Sequence, residues 1–171
     1  SFGRIQNQKG FCLVIYSLMD RINQLISIYQ KLNHFGKHLN LNLVSYLEGE
    51  IEYELTISKE HLATPKAAHG GVVAAMMDGV LGVAALTISA KDLKLVSTVE
   101  FKINYLSPAF FGDVLIGKGK VIKQGKRIMV CEGEIFEKTS NRLIAKAIGT
   151  FNAYPYQKAG IEDLNANWDF R

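Results

Sequence analysis

The sequence predicts an α+β fold, an antiparallel sheet wrapped around one central apolar helix, with an extra helix at the N-terminal side. Three observations carry this expectation. Gly71–Ile88 has the length of a helix and is apolar almost all round, so it has to be buried on most sides. Six other segments read as strands, and two of them, Ile51–Ile57 and Val96–Leu106, show the two-residue alternation of a half-buried sheet. The element order is helix, two strands, central helix, four strands, and a sheet curled around the helix is the simplest way to cover it. The chain has 171 residues, which suits one ordinary domain, and its 48% hydrophobic and 21% charged residues exclude disordered and low-complexity classes.

Taken in order, the first element runs from Ser17 to Leu32. Leu18, Ile22, Leu25, Ile26, Tyr29 and Leu32 fall at helical spacing, and Gly36 is expected to end the helix. The apolar run Phe11–Met19 resembles a signal-peptide core. Asp20 and Arg21 follow it in place of a small-residue cleavage site, so a helix is the expected reading. Leu39–Leu47 is strand-like. Ile51, Tyr53, Leu55 and Ile57 alternate with Glu50, Glu52, Glu54 and Thr56, and Glu48-Gly49 is the turn of a hairpin. Glu60–Ala68, broken by Pro65, is a loop.

After the central helix, Val96–Leu106 alternates Val99, Phe101, Ile103 and Tyr105 with Thr98, Glu100, Lys102 and Asn104. This alternation puts Thr98 on the polar face, opposite Phe101 and Ile103, toward solvent or a partner subunit. Asp113–Lys123, Arg127–Lys138 and Leu143–Tyr154 are the remaining strands, separated by turn residues. The expected organisation is an N-terminal extension and helix over 1–34, a main domain over 35–155, and a peripheral C-terminal tail over 156–171.

Twenty Lys and Arg against sixteen Asp and Glu leave a net charge of +4, with a pI near 9.0. That excess permits an anionic ligand without demanding nucleic acid, and no nucleic-acid-binding signature is present. Cys12 and Cys131 stand far apart, so neither a disulfide framework nor a thiolate metal site is expected, and a cytoplasmic location is. His34 and His38 have metal-ligand spacing but no third ligand, so no metal is expected. Ala67–Ala90 is nearly uncharged, yet Asp78, Gly79 and Gly82 interrupt it, which favours a buried helix over a membrane span.

The residues that bear on chemistry start at His69-Gly70-Gly71 and end at Asp78. Asp78 is the one charged residue between Lys66 and Lys91, and a buried carboxylate is costly unless it is paired, solvated or protonated. A structural ion pair and a functional carboxylate both fit that description. Two glycines at a helix start let a ligand approach amides that lack an intrahelical acceptor. Such amides can stabilise an oxyanion. Asp78 lies seven residues beyond Gly71, about 10 Å along a helix axis. If both act on one small group, a second subunit has to bring one of them to the other.

The segment His69-Gly70-Gly71 to Asp78, followed by Thr98-Val99-Glu100-Phe101-Lys102-Ile103-Asn104-Tyr105-Leu106-Ser107-Pro108, resembles the hotdog-fold acyl-CoA thioesterases. The resemblance is to the phenylacetate-degradation (PaaI-like) branch of the 4-hydroxybenzoyl-CoA thioesterase superfamily, and it covers residues 35–154. It implies a hotdog fold that hydrolyses an acyl-CoA, as a dimer or dimer of dimers. Coenzyme A enters as part of the substrate, with no separate cofactor and no nucleic-acid or membrane partner. It places the nucleophile or general base on Asp78, the amide that polarises the thioester on Gly71, the orienting histidine on His69, and the water-positioning hydroxyl on Thr98. Gly70, His61 and Ser97 are implied substrate neighbours.

One position departs from the family. An Asn often stands six residues before the histidine of the glycine pair, and here that position is Ala63. Thr64 or His61 is then expected to supply the missing hydrogen bond. The departure also keeps open a hotdog protein that binds acyl-CoA without turnover, in a regulatory role. The basic turn of Lys123, Lys126 and Arg127 suits the phosphates of coenzyme A, although such turns are often only solvated.

Overall fold

The computed structural model describes residues 20–164. Phe11–Met19 and the helix start expected at Ser17 lie outside them. Helix α1 occupies 20–32, and its buried residues Ile22, Leu25 and Ile26 pack against Leu86 and Ala90. Gly36 does not end this helix. The break comes at Asn33, and Gly36 is buried inside a second short helix, α2 (His34–His38). Asn33 Oδ1 caps α2 by accepting the Gly36 N–H at 2.9 Å. A Cβ on Gly36 would lie 2.5 Å from Asn33 Nδ2, so glycine is required here for the close approach of the cap.

The hairpin comprises β1 (Asn42–Leu47) and β2 (Glu50–Thr56). Gly49 makes its turn at φ 79°, a conformation that costs glycine nothing. Leu39 and Asn40 belong to the turn before β1 and not to the strand; Asn40 sits in the left-handed region at φ 55°. The central helix α3 (Gly70–Ser89) follows, then β3 (Lys94–Tyr105), β4 (Val114–Gln124), β5 (Ile128–Glu137) and β6 (Leu143–Pro155).

The six strands form one antiparallel sheet in the order β1-β2-β4-β5-β6-β3. It wraps α3, whose Met76, Met77, Val80, Leu81 and Ala84 are fully buried. The inner face of the sheet is cut back where the helix crosses. A Cβ on Gly119 would meet the Val80 carbonyl oxygen at 2.5 Å, and one on Gly117 would meet Val80 Cγ2 at 2.6 Å. A helix long and apolar enough to cross a membrane is thus the core of a wrapped sheet. The outer face carries paired charges: Lys118–Glu52 at 3.5 Å, Lys120–Glu132 at 3.0 Å and Lys146–Glu134 at 2.7 Å. Such exposed pairs contribute little stability.

Two features differ from expectation. The tail is not peripheral as far as Leu164: Ile161 is buried, and Tyr156 and Leu164 pack on the cluster that holds α1. The register of β3 against β6 slips by one residue, because Thr98 pairs with Phe151 while Glu100 pairs with Thr150. Val99 is the extra residue of a β-bulge, and it is 58% exposed.

Candidate active site

The bulge decides where Thr98 points. With one residue inserted, Thr98 shares the face of Phe101 and Ile103 instead of opposing them, so its hydroxyl turns toward α3 while the residue stays exposed at the cavity. There Thr98 Oγ1 donates a hydrogen bond to Asp78 Oδ1 at 2.7 Å. Asp78 is half-buried in the middle of α3, among residues that are mostly fully buried. The hydroxyl supplies one partner for a carboxylate that has no cation bonded to it among the described residues.

Asp78 and Thr98 line a cavity of about 180 Å³ with Ser97, Tyr29, Phe151 and Tyr154. The volume is close to that of a cavity that accepts benzene, ~150 Å³. Tyr29 comes from α1. Its phenol is pushed up to about 12 by burial first and by the Asp78 charge second. Sequence reasoning assigned Tyr29 to the helix core; its one signal was a hydroxyl in an otherwise aliphatic stripe. A larger open hollow of about 540 Å³ lies on the outer face of the sheet, lined by Glu52, Lys118, Glu134 and Lys146 among others. These charges already satisfy one another, so the smaller cavity is the better candidate for chemistry.

The glycine pair lies at the other end of α3. His69 is its N-cap residue, with extended backbone, and His69 Nδ1 accepts the Gly71 N–H at 2.8 Å. This corrects the expectation that the Gly71 amide is open to a thioester: the cap already holds it, as N-cap side chains do for first-turn donors. Gly70 stands one residue earlier, ahead of the bond that the cap consumes, and it is exposed. Tyr105 Oη donates to the Gly70 carbonyl oxygen at 3.3 Å.

His61 is 3% exposed, so it does not present its ring to a substrate. Its Nδ1 accepts the Ser58 N–H at 3.1 Å, and its carbonyl oxygen accepts the His69 N–H at 2.8 Å. It is a buried strut that holds the glycine loop. Thr64 Oγ1 accepts the Ala67 N–H at 3.0 Å, so it too is engaged inside the loop. Both residues are thus held by the loop's own backbone, and the Thr64 hydroxyl keeps its own proton to give. The loop is tied below by Ala68 N–H to the Ala109 carbonyl at 2.8 Å, and the Arg142–Asp113 pair at 2.7 Å braces the segment that carries Ala109.

Ser97 is exposed on the cavity rim and pairs with Asn152 on β6. Arg127 donates to Asn152 Oδ1 at 3.3 Å, which anchors one cation of the β4–β5 turn near that rim. Lys123 and Lys126 are exposed on the same turn. Among the described residues, no cluster of three His, Cys, Asp or Glu side chains is arranged to hold a metal.

Residues 66–144, which carry the glycine pair, Asp78, Thr98 and the basic turn, match the thioesterase superfamily model. A candidate esterase of Saccharolobus solfataricus is 32% identical over 132 residues, 77% of this chain and 91% of that protein. The chain belongs to the thioesterase superfamily. Human acyl-coenzyme A thioesterase 13 is 28% identical over 131 residues, 76% of this chain and 92% of its own. Among solved structures, the PaaI protein of the Escherichia coli phenylacetic acid degradation operon superposes with a TM-score of 0.73 at 22% identity, over 80% of this chain and 96% of that one. A Streptococcus pneumoniae thioesterase solved with coenzyme A gives 0.62 at 23% identity, over 68% and 87%. The hotdog architecture is therefore that of this superfamily, with α1 laid across the end of the cavity.

Proposed function

We propose that this hotdog protein is an acyl-CoA thioesterase, hydrolysing the thioester to a carboxylic acid and coenzyme A. The observation that carries the reading is the Thr98–Asp78 hydrogen bond at 2.7 Å on the wall of an otherwise uncharged cavity. Thr98 holds one carboxylate oxygen and leaves the other for a water molecule or the thioester carbon. In the water route, Asp78 takes a proton as the water oxygen bonds to the carbonyl carbon. The carbonyl becomes an oxyanion, the C–S bond then breaks, and the proton goes to the departing thiolate. The open first-turn amide at Gly70 supports the oxyanion. Direct attack by the carboxylate uses the same two groups.

The helix start lies about 10 Å from Asp78 along α3, too far for both to serve one carbonyl in one chain. The site is accordingly composite, in a homodimer or a dimer of dimers. Support comes from β3, which is the sheet edge and leaves its backbone open for pairing with a second copy. Exposed Val99, Tyr105 and Leu106 lie along that strand and its end. The turn of Lys123, Lys126 and Arg127 takes the phosphates of coenzyme A. Cys131 is a buried thiol held protonated, pushed up to about 12 by burial, in keeping with a reducing cytoplasm.

Thiol release measured over short, long and aromatic acyl-CoAs tests the reading, with hydrolysis of at least one class expected. Ala63 favours one second reading, an acyl-CoA binder without turnover, because it lacks the side-chain amide of the family's Asn. Coenzyme A binding with no thiol release on any substrate selects that reading.

A further inference from the structure

One wall of the cavity beside Asp78 comes from neither the sheet nor α3. Tyr29, on α1, lines it together with Asp78 and Thr98, and Asp78 is the one charged residue in that lining. The phenol is held from behind. Asn33 Oδ1 accepts the Gly36 N–H at 2.9 Å, which fixes the amide and leaves Nδ2 to donate to Tyr29 Oη at 3.0 Å. A hydroxyl that accepts from Asn33 gives its own proton in another direction. Two acceptors are candidates, Tyr53 and, across the shared cavity, Asp78. Tyr53 is a neutral phenol, buried at 3% exposure and close enough to be pushed further up by Tyr29, though burial is the larger cause. Asp78 is a carboxylate, and hydrogen bonds to ionised acceptors are roughly twice as strong as neutral ones.

We propose that Tyr29 is a positioning residue for Asp78: oriented by Asn33, its hydroxyl donates across the cavity toward one lone pair of the carboxylate oxygen that Thr98 does not hold, leaving that oxygen's second lone pair for the water. Hydroxyls from α1 and β3 then fix one carboxylate between them. Burial and the Asp78 charge together keep the Tyr29 proton in place, so the group remains a donor throughout the neutral range. The helix ahead of the hotdog sheet thereby becomes part of the site. The kinetic side of this inference rests on the thioesterase reading; the placement of Tyr29 does not.

The test is a double-mutant cycle of Tyr29→Phe and Asp78→Asn. Phenylalanine keeps the ring and its packing, so the melting temperature should stay close to that of the wild type. Tyr29→Phe is expected to lower kcat about 3–10-fold, the size of one ordinary hydrogen bond, with KM little moved. In the Asp78→Asn background the same change should alter residual turnover by less than about 2-fold, because the group it acts through is gone. An equal loss in both backgrounds, or a loss that follows a lower melting temperature, overturns the positioning role. A second readout needs no turnover. With tyrosine labelled at its ring Cζ with carbon-13, the Tyr29 resonance should move when Asp78 becomes Asn in the folded protein. An unmoved resonance overturns the placement. A wild type that releases no thiol while this resonance moves would sink the thioesterase reading and leave the Tyr29–Asp78 pairing standing.

Discussion

Thr98 donates to Asp78 at 2.7 Å because Val99 is an extra residue in β3. Without that bulge, strand alternation would turn Thr98 away from α3 and leave the carboxylate without its hydroxyl partner. Val99 at the bulge is 58% exposed on an edge strand, so one local irregularity shapes both the site and the exposed sheet edge.

Removing the hydroxyl therefore tests the site directly. Thr98→Ala should lower kcat about 10–100-fold, the range for one hydrogen bond to a charged group, with a smaller change in KM. Thr98→Ser keeps the oxygen and should restore most of the loss. Steady-state kinetics of the two variants decide the matter: equal activity in Thr98→Ala and the wild type would remove Thr98 from the mechanism.

The architecture was legible because burial dictates it. A helix apolar on all sides needs a cover, and alternation in β2 and β3, with turn-bounded strand segments after them, supplied one. The direction of Thr98 was not legible, since a one-residue slip leaves the apparent alternation of 99–105 intact while reversing the face of 98. His69 was legible as a motif residue, but its return to cap Gly71 depends on a side-chain rotamer that spacing does not encode. His61 looked available because loops usually are; the carbonyl bond to His69 draws it inside. Tyr29 was placed on the core face of a helix, and it is there, but that face ends at the cavity.

The edge strand carries an assembly prediction. A charge at the bulge, Val99→Asp, should oppose β3 pairing between two copies, as charges on sheet edges do. Sedimentation should show a dimer or tetramer for the wild type at micromolar concentration and a shift toward monomer for the variant. Specific activity should fall with the fraction of monomer. A monomer that retains full activity would refute the composite site.

Glu137 gives a prediction in pH. Its carboxylate accepts from the Ser140 hydroxyl at 2.6 Å and from the N–H groups of Thr139 and Ser140 at 3.0 and 2.6 Å. These bonds, the Ser140 hydroxyl first, hold it down at about 2. A depressed carboxylate stabilises the fold above its unfolded value and loses that contribution as pH falls toward the folded one. Glu137→Gln should melt earlier than the wild type at pH 7, and the gap should close between about pH 4.5 and pH 2. Thermal melts across that window check it; a gap independent of pH would mean that shape, not charge, is what Glu137 supplies.

The β4–β5 turn predicts a split between binding and chemistry. Replacing Lys126 and Arg127 by Ala should raise KM for acyl-CoA more than it lowers kcat, because contacts remote from the thioester bind substrate and transition state alike. The rise should shrink in high salt, where exposed charges are screened. An unmoved KM at low ionic strength would reduce the turn to a solvated hairpin.

Asp78 itself separates enzyme from binder. Asn is nearly isosteric with Asp and can still accept the Thr98 hydrogen bond, so packing around α3 should survive in Asp78→Asn. It cannot take a proton or act as a carboxylate nucleophile. Turnover should fall by at least ~10²-fold, the low end for a positioned acid or base. Stability should hold or rise, since a half-buried charge without a cation bonded to it is costly to keep. A structural Asp78 predicts the reverse: a lower melting temperature, with activity per folded molecule preserved. Thiol-release kinetics and thermal melts on one preparation distinguish the two patterns, because the first moves only the rate and the second only the fold.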